Sequence, residues 1–264
     1  VDGRLIWNYK HALQPREVPK KLIIFGSGAI GMEFASFYNS LGSKVTVIEL
    51  KDRILPIEDK EISAFAKKRF EESGIEFFLE ADFEVINQGA SEISLLLKTK
   101  KKKIKISASK ILVAVGIVGN LDGIGLESIG VKTKSGHIVT NEYCQTNADG
   151  VFAIGDVTGP PWLAHKASHE GILVAETIAG KSNIKLVKKE SIPGCTYSNP
   201  QIASVGFTED KALELGYDIK VGKFPFLANG KALAMGETEG FVKTIFDENT
   251  GELLGAHMVG AEVT

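Results

Sequence analysis

The sequence predicts an α/β protein: a parallel sheet wound with helices and carrying an inserted antiparallel meander, followed by a second, antiparallel sheet towards the C-terminus. Three observations predict it. Lys21 to Glu49, KLIIFGSGAIGMEFASFYNSLGSKVTVIE, compresses an apolar strand, a glycine turn, a helical pattern and a second strand ending in an acid into one short stretch. Asp59 to Ser73 then places Ile62, Phe65, Ala66 and Phe70 at helical spacing, with Gly74 as a stop. Past Gly180 the pattern changes to short strand-like runs separated by turns, the mark of an antiparallel sheet.

The first unit sets the chemistry. Gly26, Gly28 and Gly31 satisfy G-x-G-x-x-G between the strand Leu22–Phe25 and a helix. Gly26 permits the tight turn, Gly28 lets backbone approach a pyrophosphate, and Gly31 lets the helix pack closely on the strand. A helix N-terminus adds free N–H groups and a partial positive charge for that pyrophosphate. Glu49 follows Gly26 by 23 residues, at the end of Val45–Ile48, where a carboxylate can accept hydrogen bonds from an adenosine ribose. The unit is therefore expected to be a Rossmann-like dinucleotide-binding domain. A carboxylate there repels a 2′-phosphate, and no arginine follows until Arg53, so NAD is expected over NADP.

The remaining elements follow in order. Val1 to Lys20 has no clear period and carries Pro15 and Pro19, so residues 1–20 are expected to be a linker. After the helix at Asp59–Ser73 come strands at Glu76–Leu79, Phe83–Ile86, Glu92–Lys98 and Ile104–Ser107, the last two joined by Lys100-Lys-Lys-Lys103. That basic run is expected to be a solvated hairpin tip rather than a nucleic-acid contact. Lys110–Val115 returns as a buried strand ending at Gly116, closing a domain at 21–116. Further strands are expected at Gly136–Thr140 and Val151–Ile154, a helix at His165–Ala179, and strands at Cys195–Val205, Tyr217–Phe224, Phe241–Phe246 and Leu253–Val259. Asp247–Gly251 joins the last two as a hairpin.

Bulk properties exclude several classes. The 264 residues carry 31 basic and 33 acidic side chains, a balance that leaves no electrostatic footprint for nucleic acid. The longest nearly apolar run, Ile111–Gly119, is far short of the roughly 20 residues a bilayer-spanning helix needs. No membrane partner is implied, and a soluble protein is expected, cytoplasmic or, in a eukaryote, of the mitochondrial matrix. Cys144 and Cys195 stand 51 positions apart, which excludes a disulfide framework, a C-x-x-C pair and a thiolate-rich metal site. His11, His137, His169 and His257 have no metal-ligand spacing, so no metal is expected.

At Thr146-Asn-Ala-Asp-Gly-Val-Phe-Ala-Ile-Gly-Asp156 the chain resembles the second flavin fingerprint of the pyridine nucleotide–disulfide oxidoreductases. Trp162-Leu-Ala-His-Lys-Ala167 with Glu170-Gly171, Tyr197 to Gly206, Val221 to Phe226, Gly240 to Lys243 and Gly255 to Gly260 resemble the branch that oxidises dihydrolipoyl groups. The resemblance covers essentially the whole chain. It implies that 117–190 is the second half of an FAD-binding domain and 191–264 a partial interface domain, the antiparallel sheet of an α+β dimerisation domain. It also implies the cofactors NAD and FAD, a homodimer, and partners that are lipoyl-bearing components of 2-oxo acid dehydrogenase complexes or the glycine cleavage system.

Residue by residue, the resemblance gives Gly26, Ser27, Gly28, Ala29, Ile30, Gly31, Glu49 and Gly116 to NAD. It gives Asp156, which would hold a ribityl hydroxyl, and Trp162, Leu163, Ala164 and His165 to one side of the FAD site. Glu33 is open between a place facing nicotinamide and flavin and a solvated helix position, and His165 between flavin lining and packing. One departure lies inside the matching region: Gly116-Ile-Val-Gly-Asn120 lacks the arginine and proline usual in this loop. The family's C-x-x-x-x-C disulfide and H-P-T motif do not occur among the 264 residues. An internal fragment is therefore expected. The alternatives are a non-catalytic NAD-binding and self-association module, or a related flavoprotein disulfide reductase such as a mercuric reductase. On this reading the isolated chain should purify colourless, oxidise dihydrolipoamide only at background rate, and be cut by protease first within 117–190. Limited proteolysis with mass spectrometry checks this, and preferential cleavage inside 21–116 or a bound-flavin spectrum would contradict it.

Overall fold

The first twenty residues depart from expectation. Ile6–Trp7 forms a short strand (β1) and Tyr9–Leu13 a helix (α1), each too brief for a sequence period to show. Asn8 caps α1, and the Tyr38 hydroxyl donates to Ala12 C=O at 2.6 Å. The computed structural model describes residues 1–100 and 102–264; Lys101, within the expected basic tip, lies outside the described residues.

Lys21–Phe25 (β2), Ala29–Ser40 (α2), Lys44–Ile48 (β3), Lys60–Glu72 (α3) and Glu76–Phe78 (β4) follow as two βα units and a strand. Ala81–Gln88 (β5), Ile93–Thr99 (β6) and Lys103–Ala108 (β7) form the expected antiparallel meander, and Lys110–Val113 (β8) returns to the parallel sheet between β1 and β2. The sheet order is β1-β8-β2-β3-β4, every pair parallel. Strands buried on both faces read as unbroken apolar runs, and the alternation shows where each side chain goes. Leu22 and Ile24 pack with Met32, Tyr38 and Phe70 of α2 and α3, whereas Ile23 packs with Ile93, Leu95 and Leu97 of the meander. Helices cover one face of the sheet and the meander covers the other.

Beyond Gly116, Thr133–Lys134 (β9) and His137–Ile138 (β10) make a two-stranded ribbon, and Ala164–Ile178 is a long helix (α4). The strand expected at Val151–Ile154 does not form; Phe152 makes one isolated bridge to Gln145. Gly150 and Gly155 flank it with φ of 72° and 75°, turning the backbone out of the extended region at both ends. The last part holds Gly194–Thr196 (β11), Gln201–Gly206 (β12), Glu209–Glu214 (α5), Ile219–Pro225 (β13), Gly230–Met235 (α6), Phe241–Asp247 (β14) and Leu253–Gly260 (β15). The strand order is β11-β12-β15-β14-β13. The single strand expected over Cys195–Val205 is broken before Gln201, where Pro200 has no N–H to give a ladder. The short helices α5 and α6 were not expected; side chains of Thr208 and Asn229 cap them. The chain folds as two compact units, 1–116 with 195–264, and 117–194. Among the described residues no helix is long and apolar enough to cross a membrane.

The nucleotide-type sheet and the antiparallel sheet share the first unit through a buried polar cluster at the start of α3. Lys243 of β14, 1% exposed, donates to Asp59 at 2.9 Å and to Glu209 at 2.6 Å. Burial works against the Asp59 carboxylate, but the Lys243 hydrogen bond and the N–H groups of Glu61 and Glu209 hold it below its ordinary range. Next to it, His257 is the register partner of Lys243 and gives its Nε2 proton to Phe207 C=O at 2.9 Å. His257 Nδ1 and Glu58 Oε2 are buried without a hydrogen-bond partner among the described residues.

Lys243→Met should therefore lower the unfolding free energy by about 3–5 kcal/mol, because it strands Asp59 in the core. Glu58 supplies a pH signature. Burial pushes its carboxyl up, against a hydrogen bond from Ser204 and the pull of His257, and Asp59 pushes in the same direction as burial. Between the ordinary carboxylate value of about 4.3 and the raised one, the fold keeps a proton that the unfolded chain has released. Stability contributed by Glu58 is therefore present at acid pH and lost as pH rises through that window. Urea denaturation should show Glu58→Gln gaining on the parent chain from pH 4 to pH 7; a constant difference would contradict the assignment.

Candidate functional site

At the C-terminal end of β2 the chain turns through Gly26, whose φ is 101°. A Cβ at Gly26 would lie 2.4 Å from Ala114 C=O, and one at Gly31 would lie 2.1 Å from Gly26 C=O. Neither contact is possible for a larger residue, so these two glycines set how closely α2 sits on β2 and β8. Around Gly28 a Cβ would meet nothing within 4 Å, so the turn faces open space there. Gly28 is the N-cap of α2 and no side chain caps the helix. The first-turn N–H groups, which no helix can satisfy internally, are left to an external acceptor at Ala29, Ile30 and Gly31. These features fit a pyrophosphate.

Glu49 lies beside this turn, 8% exposed at the end of β3. Its Oε2 accepts from Ser27 N at 2.9 Å and Ser27 Oγ at 2.7 Å, and its Oε1 accepts from Lys51 N at 2.8 Å. The acid is thus brought to the glycine turn as the sequence spacing suggests. Ser27 is wholly buried, with both donors directed to Glu49. Arg53 donates to Pro56 C=O at 3.2 Å. Gly116 has φ of 125° with open space around it. Glu33 is occupied: its Oε1 accepts from Tyr197 N at 2.9 Å, joining α2 to the loop after β11.

In the second unit, Gly155–Thr158 is one turn of tight helix that presents Asp156 to solvent. The Asp156 carboxylate makes no hydrogen bond among the described residues, while everything around it is tied down. Lys166 of α4, 2% exposed, donates to Gly155 C=O, Thr158 Oγ1 and Gly159 C=O, each at 3.0 Å. Its ion-pair partner Glu170, 3.3 Å away, accepts from Gly155 N at 2.7 Å. All three ammonium hydrogens are used, and both ends of the turn are fixed. Trp162 donates to His137 Nε2 at 3.3 Å and stacks on that ring. With His137 Nδ1 3.0 Å from Ser135 C=O, the imidazole ring is engaged at both nitrogens. Leu163 and Ala164 begin α4, which no side chain caps, and His165 Nε2 donates to Pro193 C=O at 2.8 Å. An exposed, unengaged carboxylate on a clamped turn fits a polyhydroxyl chain such as the ribityl group of FAD.

Both cysteines are free thiols; burial, then the Glu170 charge, raise Cys144 above its ordinary value, against the pull of Lys166. Among the described residues no group of three or more His, Cys, Asp or Glu could hold a metal. The family model of pyridine nucleotide-disulphide oxidoreductases matches residues 3–171, and the model of their dimerisation domain matches residues 192–264. The chain belongs to the pyridine nucleotide-disulphide oxidoreductases.

Its curated relatives include dihydrolipoyl dehydrogenases of Rhizobium etli, 55% identical over the whole chain, and Zymomonas mobilis, 49% identical. The chain spans 55% and 57% of those proteins. Among solved structures, LpdA from Mycobacterium tuberculosis superposes with a TM-score of 0.87 at 27% identity, over 98% of this chain and 56% of that one. The flavoprotein disulfide reductase RclA from Escherichia coli, solved as a Cu(II) complex, gives 0.87 at 28% identity over 97% and 58%.

Sequence reasoning quoted Lys166 and Glu170 within the resembling segment but gave neither a role of its own. Their signal was present as a Lys and a Glu four apart on a helix, a spacing that on most helices marks only a surface pair. Their burial, which the spacing does not reveal, turns the pair into a clamp. Glu170→Ala should speed amide hydrogen exchange at Gly155 at least tenfold and leave the 21–116 sheet unchanged, as read by NMR; unaltered exchange at Gly155 would contradict the clamp.

Proposed function

We propose that this chain carries the NAD site, and one side of the FAD site, of a dihydrolipoyl dehydrogenase. On this reading residues 21–116 are the NAD-binding domain, 117–190 the second half of the FAD-binding domain and 191–264 part of the interface domain of a homodimer. The observation that carries the nucleotide part is the open glycine turn with buried Glu49 beside it. The identity of the reaction is supported by relatives of that name matching along the full chain.

FAD and NAD, when bound, supply hydride transfer that no side chain can perform. The chain's own residues bind and orient. N–H groups at Ala29, Ile30 and Gly31 would hold the NAD pyrophosphate where Gly28 lets it approach, Ser27 and Glu49 would form the ribose side with Glu49 accepting from the adenosine ribose, and Gly116 would leave room along the nucleotide. Asp156 would accept from the ribityl chain, and Trp162, Leu163, Ala164 and His165 would line the flavin. The reaction oxidises a dihydrolipoyl dithiol to the disulfide, releasing two electrons and two protons, and reduces NAD with two of those electrons and one proton. Lipoyl-bearing components of a 2-oxo acid dehydrogenase complex or the glycine cleavage system are the substrates and partners.

Isothermal calorimetry on the chain should give NADH at least tenfold tighter binding than NADPH, and Glu49→Arg should narrow or reverse that preference. Equal affinity of the unaltered chain for the two would overturn the nucleotide assignment.

A further inference from the structure

The residue between Gly26 and Gly28 need not be a serine for the turn to form. The conformational demand falls on Gly26, whose φ is positive, and the open face belongs to Gly28. Ser27 is 0% exposed and points away from that open face, into the protein. There it makes three hydrogen bonds: N–H and Oγ both donate to Glu49 Oε2, and its C=O accepts from Leu55 N at 2.8 Å. No ligand on the open side of the turn reaches the Ser27 side chain.

We propose that Ser27 is a positioning residue that sets dinucleotide specificity by locking the Glu49 carboxylate. This deepens the NAD reading above and rests on it. A carboxylate has about four acceptor sites, two on each oxygen. The two Ser27 donors take both on Oε2 and Lys51 N takes one on Oε1, which leaves a single site for a ribose hydroxyl. Three donors on two oxygens also fix the plane of the group. A carboxylate free to turn could move its charge away from a 2′-phosphate or admit a bridging cation. One chelated by Ser27 cannot, so the repulsion is enforced and the ribose acceptor is preorganised. Leu55 N on the Ser27 carbonyl ties the loop after β3 to the same point, so the turn that holds Glu49 is itself anchored to that loop.

The test is a calorimetric cycle on the full chain with NADH and NADPH as probes: parent, Ser27→Ala, Glu49→Gln and the double variant. Losing the hydroxyl should cut the NADH-to-NADPH affinity ratio about tenfold in the Glu49 background and less than twofold in the Glu49→Gln background. Ser27→Gly, which adds no bulk, should behave as Ser27→Ala and serves if the alanine variant fails to fold. A purely structural role would lower thermal stability without moving the ratio. A parent chain that prefers NADH, with Ser27 variants that keep its ratio within twofold, overturns the inference alone. A parent chain with no preference overturns the NAD reading and this inference with it.

Discussion

The close approach of α2 to the parallel sheet is the constraint on which the site depends. A side chain at Gly31 would collide with the carbonyl of Gly26, and one at Gly26 with the carbonyl of Ala114. Without those two missing Cβ atoms the helix would ride outward and its N-terminus would no longer stand over the end of β2. The same approach brings Met32, Ala35 and Tyr38 into the main core beside Leu22 and Ile24. The contact that shapes the glycine turn is therefore also a contact that closes the core.

Both candidate sites use one device. A buried glutamate from elsewhere in the chain accepts the N–H of a glycine-flanked turn: Glu49 takes Ser27 N and Glu170 takes Gly155 N. Each leaves a different group free to act, the helix N–H groups in the first case and the Asp156 carboxylate in the second. Buried carboxylates are costly unless their lone pairs are met, and here they are met by the backbone they hold in place. At the base of α3 the same economy is incomplete, since Glu58 Oε2 and His257 Nδ1 lack partners among the described residues, and that is where stability should respond to pH.

Much of this was legible in the sequence, for reasons particular to each element. The strand–glycine–helix–strand unit and Glu49 were readable because the chemistry is local and the spacing narrow. The helix over 60–72 was readable from its apolar period, and the meander from its strand-like runs and the basic run between the last two. Short elements escaped. β1 has two residues and takes its stability from pairing with β8, more than a hundred positions away, which no local pattern encodes. Val151–Ile154 has strand-like composition but turns at both glycines. The buried pairs, Lys243 with Asp59 and Lys166 with Glu170, were invisible because a charged residue's letter does not say that it is buried. Ser27 was assigned to the ligand by position in a motif, whereas its geometry directs it to Glu49.

The central claim is that the N-terminus of α2, with Glu49 beside it, receives a dinucleotide. An NMR titration of the ¹⁵N-labelled chain with NADH tests it most directly, because the four amides from Gly28 to Gly31 report on that place alone. They should show the largest shifts at saturation, with Lys51 N, which is bonded to Glu49, next. Saturable binding that leaves those four amides unmoved and shifts residues elsewhere would contradict the account.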